Sequence, residues 1–125
     1  YNKNIKNMIF MIQKELAEKF DYNKNKINKY KFIIKYCANY KMLFNVSNNV
    51  FYPKPKVNSK VVEFKLKKIQ IDEKRLLNFT NMIFKNKRKN LRNKIKNSKL
   101  INEKILSKRV EELNFKELLK IYNFF

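Results

Sequence analysis

The chain has 125 residues, 44% of them hydrophobic, and a formal charge of +21 from 31 basic and 10 acidic side chains. That length holds one modest domain or the joined parts of two, and the charge favours a polyanionic partner, nucleic acid before an anionic membrane surface. Glycine and histidine are absent and Cys37 is the single cysteine; this excludes Walker and GxGxxG phosphate loops, a histidine base or ligand, an internal disulfide and a cysteine-based metal site.

Met8, Ile9, Phe10, Met11 and Ile12 form a continuous apolar run, read as a strand buried on both faces, as in a parallel sheet. Leu16, Ala17 and Phe20 then recur at helical spacing over residues 13–20, and residues 21–29 form a polar, Asn- and Lys-rich surface loop. Tyr30, Ile33, Ile34 and Cys37 follow the i, i+3, i+4, i+7 pattern of an amphipathic helix, with Cys37 as a small buried hydrophobe. Residues 40–46 read as a second strand. The segment Phe51-Tyr52-Pro53-Lys54-Pro55-Lys56-Val57-Asn58-Ser59 holds both prolines of the chain. They fix φ and remove two backbone donors, so this loop is stiff and does not zip into a sheet. Val62, Phe64 and Leu66 alternate with Glu63, Lys65 and Lys67, a half-buried third strand expected to pair across the loop with the second as an antiparallel hairpin.

From residues 69–72 onward the pattern is helical. Leu76, Leu77, Thr80, Phe84, Leu91 and Ile95 share one side of a helix, with room for a break near residues 86–90. A short helix covers residues 102–106. In the last helix Asn114 is the N-cap, Glu117 completes a capping box, and Leu113 and Leu118 form a hydrophobic staple. Its apolar face is Leu118, Leu119, Tyr122 and Phe125. The expected domains are residues 1–70 and 71–125. A buried parallel strand with an unpaired edge is untenable on its own. With Tyr1 in place of an initiating Met, this reads as part of a longer protein.

The charge needs discounting before it is assigned a partner. Of the basic residues 27 are lysine, and Asn, Ile, Phe and Tyr are also abundant; all have A/T-rich codons, so nucleotide bias alone can generate much of the charge, with selection for a polyanion as the alternative. Arg75, Arg88, Arg92 and Arg109 run against that bias and carry more information. On a helix, Lys85, Arg88, Lys89, Arg92 and Lys96 occupy an arc of about 100° beside the apolar stripe. Two arginines one turn apart grip phosphates bidentately, as lysine cannot, which suits an RNA backbone; the plain alternative is a solvated basic face. In the proline loop, Phe51 or Tyr52 can stack on a base while Lys54 and Lys56 meet phosphates, or Phe51 can simply plug a core. Arg109 with Glu111 and Glu112 reads as a structural ion pair near the last helix. Gln13, Lys14 and Glu15 close the first strand, at the rim where open α/β sheets bind ligands. No apolar run approaches the roughly 18–20 residues of a transmembrane helix, and no secretory signal is visible.

Four of these segments together resemble the small-subunit rRNA adenine dimethyltransferases of the KsgA type. The family's FxPxPKVxS loop is matched by Phe51, Pro53, Pro55, Lys56, Val57 and Ser59. Its aromatic-x-x-R/K-R-K-x-L/I-R-N segment is matched by Phe84, Lys87, Arg88, Lys89, Leu91, Arg92 and Asn93, its strand end by Met11-Ile12-Gln13-Lys14-Glu15, and its R-x-E-x-L by Arg109, Glu111 and Leu113. The resemblance implies an α/β plus α fold: the last strands of a Rossmann-like class I methyltransferase sheet, then a small C-terminal helical domain that binds rRNA. It implies transfer of methyl groups from S-adenosylmethionine to two adjacent adenosines near the 3′ end of small-subunit rRNA, by a monomer acting on that rRNA or a pre-30S-type particle. The location implied is cytoplasmic, or alternatively organellar, with no membrane partner.

By the same resemblance Phe51, Pro53, Pro55 and Lys56 belong to the target-base loop, Phe51 packing against the adenine. Lys85, Lys87, Arg88, Lys89, Arg92 and Asn93 face the rRNA. The family's Gly-rich cofactor loop and its Asn-Leu-Pro-Tyr-like catalytic motif have no match here, so catalytic, cofactor and metal residues are expected to be none, and this chain alone is expected to be inactive. Tyr30-Lys31-Phe32 stands where the family has Tyr-Gly-Arg, and Ser47-Asn48-Asn49 where prolines often precede the Phe. The rival readings are a non-enzymatic basic RNA-binding or ribosome-associated module, and a mitochondrial transcription factor on the same scaffold.

Overall fold

Alternating apolar residues on either side of the proline loop build a three-stranded sheet in the computed structural model, which describes residues 4–24, 26–95 and 98–125. The strands are β1 (Asn7–Gln13), β2 (Ala38–Val46) and β3 (Ser59–Leu66), in the order β1-β3-β2. β3 pairs antiparallel with both neighbours, so β1 and β2 run in the same direction on either side of it. Helices α1 (Lys14–Phe20) and α2 (Lys29–Cys37) lie between β1 and β2 in sequence; α3 (Glu73–Phe84), α4 (Glu103–Leu106) and α5 (Phe115–Phe124) follow β3. The chain divides into two compact units, Tyr1–Asn25 with Ile34–Gln70, and Lys26–Ile33 with Ile71–Phe125. The start of α2 therefore groups with the C-terminal helices.

The expected hairpin is present: Val46 pairs with Ser59 and Ala38 with Leu66. Leu43 is an extra residue between the Met42–Val62 and Phe44–Val61 pairs, a bulge that sharpens the local twist. Val62 and Ala17 are fully buried. Phe20 of α1 meets Tyr40 and Phe64 edge-on at 6.2 and 6.3 Å, and Phe10 meets Phe64 at 6.1 Å. The Tyr40 hydroxyl donates to the Ala17 carbonyl at 2.8 Å, satisfying the polar end of an otherwise apolar cluster. Burial, with the Asp21 charge adding to it, pushes the Tyr40 pKa up to about 12.

Within this chain β1 is not buried on both faces. It pairs antiparallel, with β3, and Ile9, Phe10 and Met11 are exposed. A short apolar run has no periodicity that separates a central strand from an edge, so neighbours decide its burial. α2 also turns differently. Tyr30 is exposed, while Lys31 and Phe32 are buried. The reason is the aromatic core of the helical unit, where Phe32 packs against Phe79, Phe115 and Tyr122 at 5.5, 5.6 and 6.2 Å. Burying a whole ring outweighs the smaller side chains of the expected stripe. Asn28 caps this helix by accepting the Lys31 N–H at 2.9 Å, and the Lys31 ammonium donates to the Lys26 carbonyl at 3.2 Å.

α3 stops at Phe84. Its buried face is Leu76, Phe79, Thr80, Ile83 and Phe84, with Leu77 exposed. Asp72 caps the start by accepting the Arg75 N–H at 2.9 Å. At the far end Lys85 donates its N–H to the Asn81 carbonyl and Asn86 takes φ 50°. That left-handed conformation ends a helix and falls to Asn in a chain without glycine. The allowed break is thus real. α4 is capped by Asn102, and α5 has the expected capping box: Asn114 accepts the Glu117 N–H at 2.9 Å and Glu117 accepts the Asn114 N–H at 3.0 Å. Leu118, Ile121 and Tyr122 are its buried residues, whereas Phe125 is exposed. Arg75 closes the other end of α5, donating to the Tyr122 carbonyl at 2.8 Å with its guanidinium 4.6 Å from that ring.

Candidate nucleic-acid interface

In the sheet unit, Gln13 and Val46, the last residues of β1 and β2, both pair with Ser59. The proline loop therefore stands on the carboxyl rim of two parallel strands, beside the start of α1. Three bonds tie it down. The Lys14 N–H donates to the Asn58 carbonyl at 3.0 Å, the Asn48 N–H to Asn58 Oδ1 at 2.9 Å, and Asn48 Nδ2 to the Pro55 carbonyl at 3.1 Å. Ser47 accepts the Asn49 N–H at 3.2 Å and caps a single 3-10 turn, Asn48–Val50. Phe51 and Pro55 are half-buried, and Tyr52, Pro53, Lys54 and Lys56 are exposed, as are Gln13, Lys14 and Glu15. The Tyr52–Pro53 peptide is cis. Residue type alone marks the prolines and the ring; Asn48 and Asn58, which hold the loop, carry no such mark among the many asparagines of the chain.

In the helical unit, Lys85, Lys87, Arg88, Lys89, Arg92 and Asn93 are all exposed. They do not form an arc on a helix. Residues 85–88 are turns and Lys89 a bend, Leu91–Asn93 is one 3-10 turn, and Lys96 lies outside the described residues. The buried Leu91 anchors the segment, and its N–H donates to the Lys108 carbonyl at 3.0 Å beside an Asn90–Arg109 bridge. Two of the four motifs are thereby joined, the basic segment and the stretch around Arg109. Arg92 pairs with Glu103, whereas Lys94 donates to the Ile83 carbonyl at 2.8 Å and partial burial lowers its pKa. The expected Arg109 ion pair takes another form: Glu112 accepts the Arg109 backbone N–H at 2.6 Å, and Glu111 faces Lys26 at 3.6 Å.

Among the described residues no group of three or more His, Cys, Asp or Glu side chains could hold a metal ion. The chain has no glycine and so no Gly-rich loop of the kind that lets a backbone approach a phosphate closely. Among the described residues no helix is long and apolar enough to cross a membrane.

The family model for ribosomal RNA adenine dimethylase matches residues 1–125. A ribosomal RNA small subunit methyltransferase A from Thermotoga neapolitana is 35% identical over 122 residues, covering 94% of this chain and 46% of the relative. The chain thus spans a little under half the length of that protein. Among solved structures, a dimethyladenosine transferase from Plasmodium falciparum superposes with a TM-score of 0.76 at 21% identity, over 99% of this chain and 59% of the other. The 23S rRNA methyltransferase ErmE gives 0.67 at 13%, over 97% and 55%. At these identities the likeness shows the fold, part of a Rossmann-like methyltransferase sheet followed by helices.

Proposed function

Since this chain belongs to the ribosomal RNA adenine dimethylase family, we propose that it is the C-terminal part of an rRNA adenine dimethyltransferase acting on two adjacent adenosines of small-subunit rRNA. Residues 1–70 complete the methyltransferase sheet, and residues 71–125 form the rRNA-binding domain. The observation that carries the reading is the FxPxPKVxS loop on the carboxyl rim of β1 and β2, held by Asn48 and Asn58. Ligands of open α/β sheets bind at that rim.

A target adenine must leave its stack and be held by a ring and by hydrogen bonds. In this reading Phe51 supplies the ring, while Pro53 and Pro55 keep the loop from collapsing when the base is absent. Lys56 and the basic residues Lys85, Lys87, Arg88, Lys89 and Arg92, with Asn93, engage phosphates. The activity uses S-adenosylmethionine, and this chain's own residues handle the base and the RNA backbone. The partner is small-subunit rRNA in a pre-30S-type particle, met by a monomer in the cytoplasm.

The test is methyl transfer by the protein that carries this chain, to small subunits lacking the modification. Adenosine dimethylation is expected, and Phe51→Ala should lower its rate about tenfold or more, as loss of one base–aromatic stack would, with a smaller effect on stability. Parallel loss of rate and stability returns Phe51 to packing. A wild-type protein without methyl transfer overturns the assignment.

A further inference from the structure

Tyr52 is 101% exposed, although it follows directly on the half-buried Phe51. Phe51 is partly covered by the protein while the neighbouring Tyr52 stands wholly in solvent, so the two rings offer separate faces for stacking. A solvated ring with no packing role is ordinary on a floppy loop. This loop is not floppy: it carries two prolines and is tied to its own flanks by Asn48 and Asn58. The backbone beneath the ring is held, so stacking on it orders the side chain and not the loop. Lys54 and Lys56, both exposed, stand on the same short segment.

We propose that Tyr52 is a second stacking residue, which takes an unpaired nucleobase other than the one engaged by Phe51, with Lys54 and Lys56 on the flanking phosphates. The ligand class is single-stranded RNA with a splayed base; a duplex presents no free face to the ring. The inference rests on the reading of this rim as a base-handling site. It adds that specificity reaches one nucleotide beyond the target and depends on a side chain outside the FxPxPKVxS consensus.

Tyr52→Trp, made in the protein that carries this chain, places an indole at a solvated position where it disturbs no packing, and its signal is read as the difference from the unsubstituted protein. This variant is titrated with a single-stranded oligoribonucleotide holding two adjacent adenosines, with the same strand made abasic at and beside those positions, and with heparin. Indole quenching is expected with the base-bearing strand and not with the other two. In parallel, Tyr52→Ala should weaken binding of that strand about tenfold while Tyr52→Phe retains it, because stacking needs the ring and not the hydroxyl. Equal quenching by all three ligands reduces Tyr52 to a bystander in an electrostatic contact and overturns the proposal. Tight strand binding without quenching overturns it too, yet leaves the RNA-facing reading standing. No binding to any RNA removes both.

Discussion

Lys14 and Asn58 are 44 positions apart in sequence, yet the Lys14 N–H reaches the Asn58 carbonyl at 3.0 Å. This bond joins the first turn after β1 to the last stretch of the proline loop. The Asn58 side chain meanwhile accepts the Asn48 N–H. One asparagine thus fastens the loop to both strands that carry it.

Replacing Asn58 with Ala removes its side-chain acceptor and spares its carbonyl. The expected cost is about 1 kcal/mol. Amide exchange at Asn48 should accelerate while exchange at Lys14 stays near the wild-type value. Acceleration at neither amide would show that the prolines alone hold the loop.

The buried face of α3 separates two otherwise similar substitutions. Phe79 is fully buried against Phe32 and Tyr122, at 5.5 and 5.1 Å, while Leu77 is 48% exposed. Phe79→Ala should cost about 3–5 kcal/mol in urea unfolding and Leu77→Ala less than about 1. A comparable loss at both would restore the stripe drawn from periodicity.

Arg92 is paired with Glu103, an exposed contact that adds little to stability but withholds a charge from any phosphate. Arg88→Ala with Arg92→Ala should weaken RNA binding and reduce the salt slope by about 2. Glu103→Gln should raise RNA affinity without moving the unfolding midpoint. An unchanged slope in the double variant removes the basic segment from the interface.

Two ionisable groups give opposite pH signatures. The Glu117 carboxyl lies below its ordinary range, first through the Lys108 hydrogen bond and then through the Asn114 N–H. A depressed folded pKa stabilises above the unfolded value and loses that contribution as pH falls through the folded one. Glu117→Gln should therefore lessen the drop in stability on acidification below about pH 4.5 and weaken the α5 capping box at neutral pH. For Tyr40 the folded pKa is raised from 10.0 to about 12. Its contribution is complete below pH 10 and disappears toward pH 12. Tyr40→Phe should flatten alkaline unfolding across that window, which thermal melts at stepped pH would read.

Much of the architecture was legible in the residues. Capping signals at Asn114 and Glu117, alternation through Val62 and Phe64, and the paired prolines each act over a few positions, where local geometry decides. The stiffness of the proline loop follows from the same local geometry. The sequence did not determine which faces would be buried. Phe32 displaced Tyr30 because three aromatic partners from α3 and α5 met it, and β1 stayed exposed because its burial depends on neighbours. Nor did it determine that Asn86 would end α3 and turn the basic arc into an irregular segment, or that Asn58 among so many asparagines would hold the loop. Spacing encodes contacts within a turn or a strand. Burial, a left-handed break and a bond across 44 positions depend on which distant groups arrive, and only tertiary structure settles that.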